Sequence, residues 1–332
     1  MADPRHPAKG YPFSNDRRNL LIGNRRDKRL FDPLMLMSNS SAWDDFDQDT
    51  INLDYYAVAN GGGAAAASFA IQVLEDGVIR GTTGTAGDAT ASASIIGPKI
   101  YYGDRNPLLL ARFKLDLVTE CRCEIGWIDV VPTSATGASA LNSLVTPSVN
   151  TSVVDTALYC FNHTGTTTTS GFFTKGASLT AAKLVQATAT ATISSTTIAS
   201  IAVGVAGTYP IGFVPPVTIT GDGTGATAVA TVSGAGAVTA ITVLTAGTGY
   251  TTATVIVGTP MNLVADTYVV IGIELDARNG VSCWFNGTYI GRMADAVEGG
   301  NGVTFWARGG SSNGTGKLMD IDYRWILKDR NI

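Results

Sequence analysis

Charged residues and histidines are scarce in this chain. Only 15% of its 332 residues are Asp, Glu, Lys or Arg, and its two histidines are His6 and His163. Because the usual charged fraction is about a quarter, the composition favours extended β structure packed into a larger assembly over a free cytosolic enzyme. With one histidine outside the N-terminal segment, the sequence predicts neither a Ser-His-Asp triad nor a zinc site.

Several other features are missing. No apolar run approaches the roughly 20 residues of a membrane-spanning helix, and Met1–Gly10 is polar and interrupted by proline, so neither a membrane partner nor a signal peptide is expected. The net charge of -4 gives no bulk attraction to nucleic acid or anionic membranes. Without a C-x-x-C spacing, we expect reduced, structural thiols at Cys121, Cys123, Cys160 and Cys283.

Residues 1–41 form a separate, basic segment. Residues 1–30 contain eight Lys or Arg against three Asp, with three prolines and no apolar periodicity, so they cannot form a core of their own. They could be a disordered tail, an arm that orders against an acidic sister subunit or protein lattice, or, with little aromatic support, a nucleic-acid-binding segment. Acidic residues follow from Asp44 to Asp54. As an arm, the segment offers four interface candidates, Arg17, Arg18, Arg25 and Arg26.

Residues 42–183 and 264–332 are predicted to form strands. In Thr267–Asp276 the residues Val269, Ile271, Ile273 and Leu275 alternate with small or polar residues, and Asn-Gly turns follow at 279–280 and 286–287. Period-two alternation between such turns is typical of an all-β sandwich or barrel. Residues 132–155, rich in Ser, Thr, Gly and Pro without a period, are predicted to be a long loop.

Residues 184–263 differ in kind, since they contain a single charged residue, Asp222, and a duplication. Ala187–Val203 parallels Ala226–Val243, and each copy is followed by Ala-Gly-Thr and then Tyr209 or Tyr250. Two copies of one β unit of about 40 residues are the simplest interpretation, with a low-complexity linker as the alternative. The segment is therefore predicted to be a small β repeat domain inserted between two parts of the sandwich.

These patterns resemble a known family. Glu274-Leu275-Asp276, the hairpin Cys283–Gly291 and the final strand around Asp320–Tyr323 resemble the C-terminal half of concanavalin A-like (laminin-G-like) jelly rolls, and residues 43–183 match the order of its early strands. The resemblance implies an all-β, concanavalin A-like jelly-roll sandwich. The inserted segment, with its Gly-Thr-Gly-Tyr-Thr ending, resembles small modules of tailed-bacteriophage virion proteins.

No set of carboxylates completes a glycosidase pattern. Glu274 and Asp276 lack a third member because Arg278 stands in its place, Asp320 and Asp322 suit an ion pair near Arg324, and Glu124 and Asp129 differ by an odd number of residues and so point to opposite faces. We therefore expect no enzymatic activity, no metal and no cofactor. Asp222, in a Gly-rich loop, is predicted to shape a turn, with a calcium site as the alternative.

The tryptophans could stack on sugars or fill the core. Trp325 shares its predicted face with Ile321 and Leu327 and is predicted to lie in the core. Trp284 and Trp306 have the opposite parity from their apolar neighbours Phe285 and Phe305. These two are the candidates for an exposed aromatic surface or a subunit interface.

A basic arm, a jelly roll and an uncharged insert together resemble structural proteins of tailed-phage virions. The first hypothesis is a capsid decoration (cement) protein, a homotrimer that binds the major capsid protein or another virion protein, is located in the virion and is assembled in the host cytoplasm. The alternative is a glycan-binding tail-fibre or spike module that recognises a surface glycan. A glycoside hydrolase is the third and least supported hypothesis.

Overall fold

The computed structural model describes residues 39–44, 56–61, 67–72, 78–84, 91–130, 140–143, 148–149, 153–165, 167–176, 182–210, 213–294 and 296–329. They divide into two compact units, one formed by residues 1–182 with 263–332 and the other by residues 183–262. Apart from one short 3₁₀ turn, Gly103–Arg105, the regular structure of these ranges is β. None of the described residues belongs to a helix that could cross a membrane.

The first unit is a sandwich of two antiparallel sheets. Its strands are β1 (Asn39–Asp44), β2 (Ala57–Gly61), β3 (Ser68–Gln72), β4 (Val78–Thr82), β5 (Ser92–Ile96), β6 (Tyr101–Tyr102), β7 (Leu108–Leu115), β8 (Cys121–Ile128), β9 (Leu141–Ser143), β10 (Ser148–Val149), β11 (Thr156–Thr164) and β12 (Thr167–Lys175); after the second unit come β20 (Val269–Leu275), β21 (Val281–Phe285), β22 (Thr288–Met293), β23 (Gly302–Ser311) and β24 (Leu318–Asp329). Sheet A has the order β22-β21-β20-β7-β24-β4-β3, with β1 also on β24. Sheet B has the order β12-β11-β8-β23-β5-β2 and carries β6 on β23. β9 and β10 pair with each other in a separate two-stranded sheet, so the predicted loop of residues 132–155 contains a short hairpin. The predicted all-β jelly-roll sandwich is confirmed.

The core lies between the two sheets and is filled by the inward half of each alternating strand. Val269, Ile271, Ile273 and Leu275 of β20 are all buried, as their alternation predicts. The indole N–H of Trp127, on β8 of sheet B, donates to the carbonyl of Ile273 in sheet A at 3.1 Å. This bond fixes the orientation of β8, because Trp127 points inward and the residues of opposite parity must therefore point outward.

A β-bulge in β24 changes the face of the last predicted strand. The register with β7 shifts between Ile321 and Tyr323, so that Trp325 lies opposite Leu110 rather than continuing the row of Ile321. An extra residue in one strand moves every later side chain to the other face. The prediction that Trp325 lies in the core with Ile321 is wrong: Trp325 packs on the outward face of sheet A, against Leu108, Leu110, Trp284 and Leu327.

The same bulge rearranges the predicted ion pair at Asp320 and Asp322. Arg324 now lies opposite the inward-facing Ala111 and donates to the hydroxyl of Tyr56. The two carboxylates instead bind arginines of neighbouring strands, Asp320 with Arg80 at 2.6 Å and Asp322 with Arg112. The ion pairs were predicted, but with the wrong partner.

The second unit contains β13 (Ala182–Val185), β14 (Thr188–Ser194), β15 (Thr197–Val205), β16 (Val217–Gly221), β17 (Thr224–Val232), β18 (Val238–Thr248) and β19 (Ala253–Val257). The last six form a separate sheet in the order β16-β19-β14-β15-β18-β17. The unit has its own apolar core, which comprises Ala187, Ile198, Ile201, Tyr209, Ala230, Val238, Ile241, Tyr250 and Val257.

The two sequence copies make equivalent contacts in this unit. Their central strands pair through Ile201 and Ile241, which are equivalent residues of the two copies. Gly207 and Gly247 both have a positive φ, and a side chain at either would meet the same backbone groups of its own copy. The four neighbouring strands β14-β15-β18-β17 read the same from either copy, as an approximate twofold axis through the Ile201–Ile241 pair requires, whereas β19 and β16 both lie beyond β14.

Candidate functional site

The six residues proposed from the sequence as an interface fall in three places. Arg17, Arg18, Arg25 and Arg26 lie outside the described residues. Trp284 and Trp306 point away from the core, as their parity predicts, but on opposite sheets: Trp284 on sheet A and Trp306 on sheet B. Neither is exposed, since both are at most 2% accessible. The prediction of an exposed aromatic surface is wrong for both side chains, and their role in binding stays a prediction.

A cluster of charged and aromatic side chains lies on the outward face of sheet B. Glu124 of β8 has the opposite parity from the inward Trp127, and Arg308 of β23 lies directly opposite Glu124. The indole N–H of Trp306, two residues before Arg308, is 3.4 Å from a carboxylate oxygen of Glu124. All three side chains are buried although they do not contribute to the core between the sheets.

A second arginine completes this cluster. A guanidinium nitrogen of Arg122 lies 3.0 Å from Glu124, and the Arg122 side chain retains 20% exposure while that of Glu124 has none. The guanidinium of Arg308 extends over Gly310, where an added Cβ would lie 2.9 Å from one of its nitrogens. Since Gly310 pairs with Arg122, both guanidiniums lie on the same side of the carboxylate. We call Arg122, Glu124, Trp306 and Arg308 the sheet B cluster.

The sheet B cluster brings two guanidiniums, those of Arg122 and Arg308, close to one carboxylate, that of Glu124. Burial lowers the pKa of Arg308, while Glu124 raises it and the nearby Arg122 lowers it further. Removing a charge from water costs several kcal/mol unless it is compensated by a partner. The Glu124 carboxylate therefore helps to compensate the charge of both guanidiniums.

The surroundings of the cluster are polar and partly closed. The backbone N–H of Ala140 donates to Glu124 at 2.8 Å. Ser94, opposite Arg308, and Cys160, opposite Glu124, are buried beside them on the same face. The cluster is thus covered at Glu124 and reaches solvent at Arg122.

The outward face of sheet A is organised differently. Each of its cations on β4 and β7 has its own carboxylate: Arg80 binds Asp320, Arg112 binds Asp322, and Lys114 lies 3.3 Å from Asp266. The Tyr268 ring packs under Arg112 and Lys114, 4.1 and 5.3 Å from its centroid, and burial together with Asp320 and Asp322 raises its pKa to about 12. On β4 and β7 this face therefore pairs each cation with a carboxylate.

The remaining candidate groups have structural partners. Asp222 accepts hydrogen bonds from the backbones of Thr251 and Thr252 at 2.9 Å and from the Thr251 hydroxyl, which makes it a turn residue. His163 accepts the N–H of Glu120 at 3.1 Å. All four cysteines are buried free thiols. No group of three or more His, Cys, Asp or Glu side chains in the described ranges is arranged to hold a metal ion.

The sheet B cluster is suited to hydrogen bonding with a polar ligand. A carboxylate accepts hydrogen bonds, guanidinium and indole groups donate them, and the indole also offers an apolar surface. From the sequence, Glu124 is a candidate only as a possible catalytic pair with Asp129. In the structure Asp129 follows the strand and accepts the N–H of Val154. The sequence signal that could have identified the cluster is one charged residue at an outward-facing position in each of two otherwise apolar strands, Glu124 in β8 and Arg308 in β23.

Comparison with known proteins shows likeness in fold. No protein-family model and no curated protein matches the chain. Similar solved structures include the Emp47p carbohydrate recognition domain (7% identity, TM-score 0.45, covering 89% of this chain and 98% of that one) and the Bacillus licheniformis β-glucanase (9%, 0.42, 88% and 99%). The catalytic domain of a Thermotoga petrophila endo-1,3-β-glucanase (laminarinase) is a third (10%, 0.41, 88% and 99%). At these scores the likeness concerns the type of fold alone.

The comparison also corrects one prediction. The sequence predicts no enzymatic activity, yet structures of glucanases are among those similar in fold to this chain. This finding contradicts the prediction, which is therefore wrong. A carbohydrate recognition domain and glucanases are thus both among the structures similar in fold to this sandwich.

Proposed function

We propose that the sandwich binds a glycan through the outward face of sheet B. The observation that carries this proposal is the sheet B cluster itself: Glu124, Trp306 and Arg308 are charged or amphipathic, are buried, and lie on the face that does not fill the core. Buried charges are costly, and sites that recognise small polar ligands commonly combine a few such groups with an aromatic surface.

Sugar hydroxyls match this arrangement because each can both donate and accept a hydrogen bond. The Ala140 N–H already occupies one carboxylate oxygen of Glu124 as a hydroxyl donor would. The exposed part of Arg122 is where a ligand would first meet the cluster. Specificity would come from the N–H donors of the guanidiniums, with the Trp306 indole ring as an apolar surface.

A glycan microarray with the full-length protein tests the proposal. The two outward tryptophans provide matched variants, since Trp306→Phe alters sheet B and Trp284→Phe alters sheet A in the same way. We expect Trp306→Phe to weaken binding about tenfold through loss of the indole donor beside Glu124, and Trp284→Phe to leave it within about twofold. No retained glycan, or equal losses in both variants, would contradict the proposal.

Capsid decoration is the second candidate function. It is supported by the basic composition of the N-terminal segment and by β1, whose six residues pair antiparallel with β24 and so join the end of that segment to sheet A. In this proposal the partner is the major capsid protein or another virion protein, the protein is a homotrimer, and its location is the virion.

Binding to undecorated shells tests this second candidate. The cut should be made before β1, so the variant lacks residues 1–38 and keeps Asn39–Asp44 in the sheet. A full-length variant with Arg17, Arg18, Arg25 and Arg26 changed to Gln serves as the charge control. We expect the natural protein to bind the shells saturably and both variants to lose this binding. Shells decorated equally by all three proteins would refute the role of the arm.

A further inference from the structure

The four central strands of the inserted unit, β14, β15, β17 and β18, expose one face of their sheet, which we call the insert face. Ile201 and Ile241 point into the core of the unit, so the residues on either side of them in β15 and β18 point to the opposite face. That face is lined by eight exposed residues that pair across the strands: Thr190, Thr192, Ser200, Ala202, Val229, Thr231, Ala240 and Thr242. The single charged residue of segment 184–263, Asp222, lies in the turn between β16 and β17. The insert face therefore carries no charge.

A leucine projects from the insert face at a β-bulge. The register between β17 and β18 shifts after Thr227, and Leu244 is the additional residue. A residue added in this way is left out of the strand pairing. The Leu244 side chain is 66% exposed, the largest value among the exposed large hydrophobic side chains of the described ranges. Covering Leu244 would therefore be favourable, because it would remove apolar surface from water.

The corresponding bulge of the first sequence copy contains a glycine. The register between β14 and β15 shifts after Thr188, and Gly204 is the additional residue. Gly204 and Leu244 each follow one member of the Ile201–Ile241 pair by three positions. Because the two strands are antiparallel, the approximate twofold axis places Gly204 and Leu244 at equal distances on opposite sides of that pair, roughly 20 Å apart. The insert face thus has a projection at one end and a position without a side chain at the other.

We infer that the insert face binds the same face of a second copy of this chain, so that Leu244 of each copy covers Gly204 of the other. A twofold axis in the plane of contact, perpendicular to the line from Gly204 to Leu244, brings both pairs together at once, because the two residues are equidistant from the centre of the face. Such a contact is isologous, with one patch facing itself. The absence of charge favours this partner, since no like charges oppose each other and a charged partner would find no complement. The inference does not depend on glycan binding by sheet B.

The size of the insert face predicts a weak, reversible contact. Four strands at a spacing of about 4.8 Å span roughly 19 Å, and such a face is smaller than the roughly 800 Å² per partner of a standard interface. Sedimentation equilibrium of the full-length protein at up to about 1 mM should therefore show self-association that increases with concentration. A mass that does not rise with concentration over this range would overturn the inference.

Two variants that each remove an exposed apolar side chain identify the surface. Leu244→Ser acts on the insert face, whereas Val214→Ser, at a residue that is 52% exposed, acts on the segment between β15 and β16. Because each contact covers two copies of Leu244, we expect Leu244→Ser to weaken the association about tenfold or more and Val214→Ser to leave it within about twofold. Equal association of Leu244→Ser and the natural protein would assign self-association to another surface and overturn the inference.

Disulfide cross-linking tests the register of the contact. The four natural cysteines are buried, so thiols introduced in separate chains by Gly204→Cys and Leu244→Cys are the reactive ones. We expect oxidation of the mixed variants to give a cross-linked dimer. Either variant alone should stay uncross-linked, because its two thiols would lie roughly 20 Å apart in the contact, beyond the about 7 Å between Cα atoms that a disulfide spans. Val214→Cys mixed with Leu244→Cys is the control for random collision. Cross-linking of either single variant as readily as of the mixture would refute the pairing of Leu244 with Gly204.

Discussion

Glu124 is the carboxylate of the sheet B cluster, and its contacts connect several parts of the chain. Its carboxylate accepts hydrogen bonds from the Ala140 backbone at 2.8 Å and the Trp306 indole at 3.4 Å, and it lies 3.0 Å from Arg122. One side chain thus joins β8, β23 and the chain at Ala140. Binding and stability are linked here, since a change that removes its charge weakens the compensation of the nearby guanidiniums.

Glu124→Gln keeps the size and an acceptor oxygen but removes the charge. We expect the free energy of unfolding to fall by about 3–5 kcal/mol, the usual cost of breaking a buried ion pair from one side, as measured by urea denaturation. Asp266→Asn is the control, because the Lys114–Asp266 pair is exposed and should be worth less than about 1 kcal/mol. Similar small losses in both variants would show that Glu124 is not needed to compensate the arginines.

Asp222 supports a turn in an almost uncharged unit. Hydrogen bonds from the Thr251 hydroxyl and from the backbones of Thr252 and Thr251 lower the pKa of its carboxyl. A lowered pKa in the folded state stabilises that state above the unfolded value of about 3.9, and this stability is lost as the pH falls through the folded value. The inserted unit should therefore lose stability in acid below about pH 4.

The prediction is tested in the full chain by thermal unfolding between pH 5 and pH 2, followed through NMR signals of Tyr209 and Tyr250. Asp222→Asn should lower the midpoint at pH 5 and reduce its dependence on acid, while a change of the exposed Thr192 to Ala should do neither. Parallel acid dependence in the natural protein and Asp222→Asn would contradict the assigned role of this carboxyl.

At the scale of elements, central strand β8 requires glycine beneath the candidate site. Gly126 has φ of +154°, and an added Cβ would meet the carbonyl oxygen of Ala157 at 2.2 Å and the Cα of Leu158 at 2.9 Å. Both contacts are with the backbone of the neighbouring strand β11, which cannot move aside as a flexible side chain can. The pairing of β8 with β11 therefore depends on the absence of a side chain.

Gly126→Ala should lower the free energy of unfolding by about 3 kcal/mol, the upper part of the usual range for overpacking. Gly300→Ala is the matched control, because nothing lies within 4 Å of its added Cβ and a change near zero is expected. Chemical denaturation of the two variants gives the comparison. A Gly126→Ala protein as stable as Gly300→Ala would mean that the strands separate more easily than this packing implies.

The strands also show how far alternation predicts structure. Alternation correctly predicts that the odd-numbered residues of Val269–Leu275 point inward. It also correctly predicts that Trp284 and Trp306 point outward. It failed at Trp325, because a bulge is one added residue without a distinctive local sequence. It also failed to predict that Trp306 is buried, since the cover over this face includes Ala140, a contact between segments distant in sequence.

At the scale of the whole molecule, the chain has two cores of different composition. The sandwich packs large aromatic side chains between its sheets, as in the 5.4 Å ring contact between Tyr159 and Phe285. The inserted unit packs mainly Ala, Val and Ile with two tyrosines. Because both units have separate cores, we propose that the insert folds without the sandwich.

Residues 183–262 produced alone should therefore give a cooperative thermal transition and dispersed NMR signals. The full chain should show the same transition beside that of the sandwich in calorimetry. A scrambled-order version of the same residues, which keeps the composition but not the repeat, is the control. An unfolded fragment would show that the approximate twofold packing of its copies is insufficient by itself.

The central claim is that the outward face of sheet B binds a glycan. A crystal structure of the full-length protein with the glycan that binds best on the microarray tests it most directly. The account predicts sugar density against Arg122, with hydrogen bonds that reach Glu124, Trp306 or Arg308. A sugar located instead on the Tyr268 face of sheet A, or on the inserted unit, would contradict it.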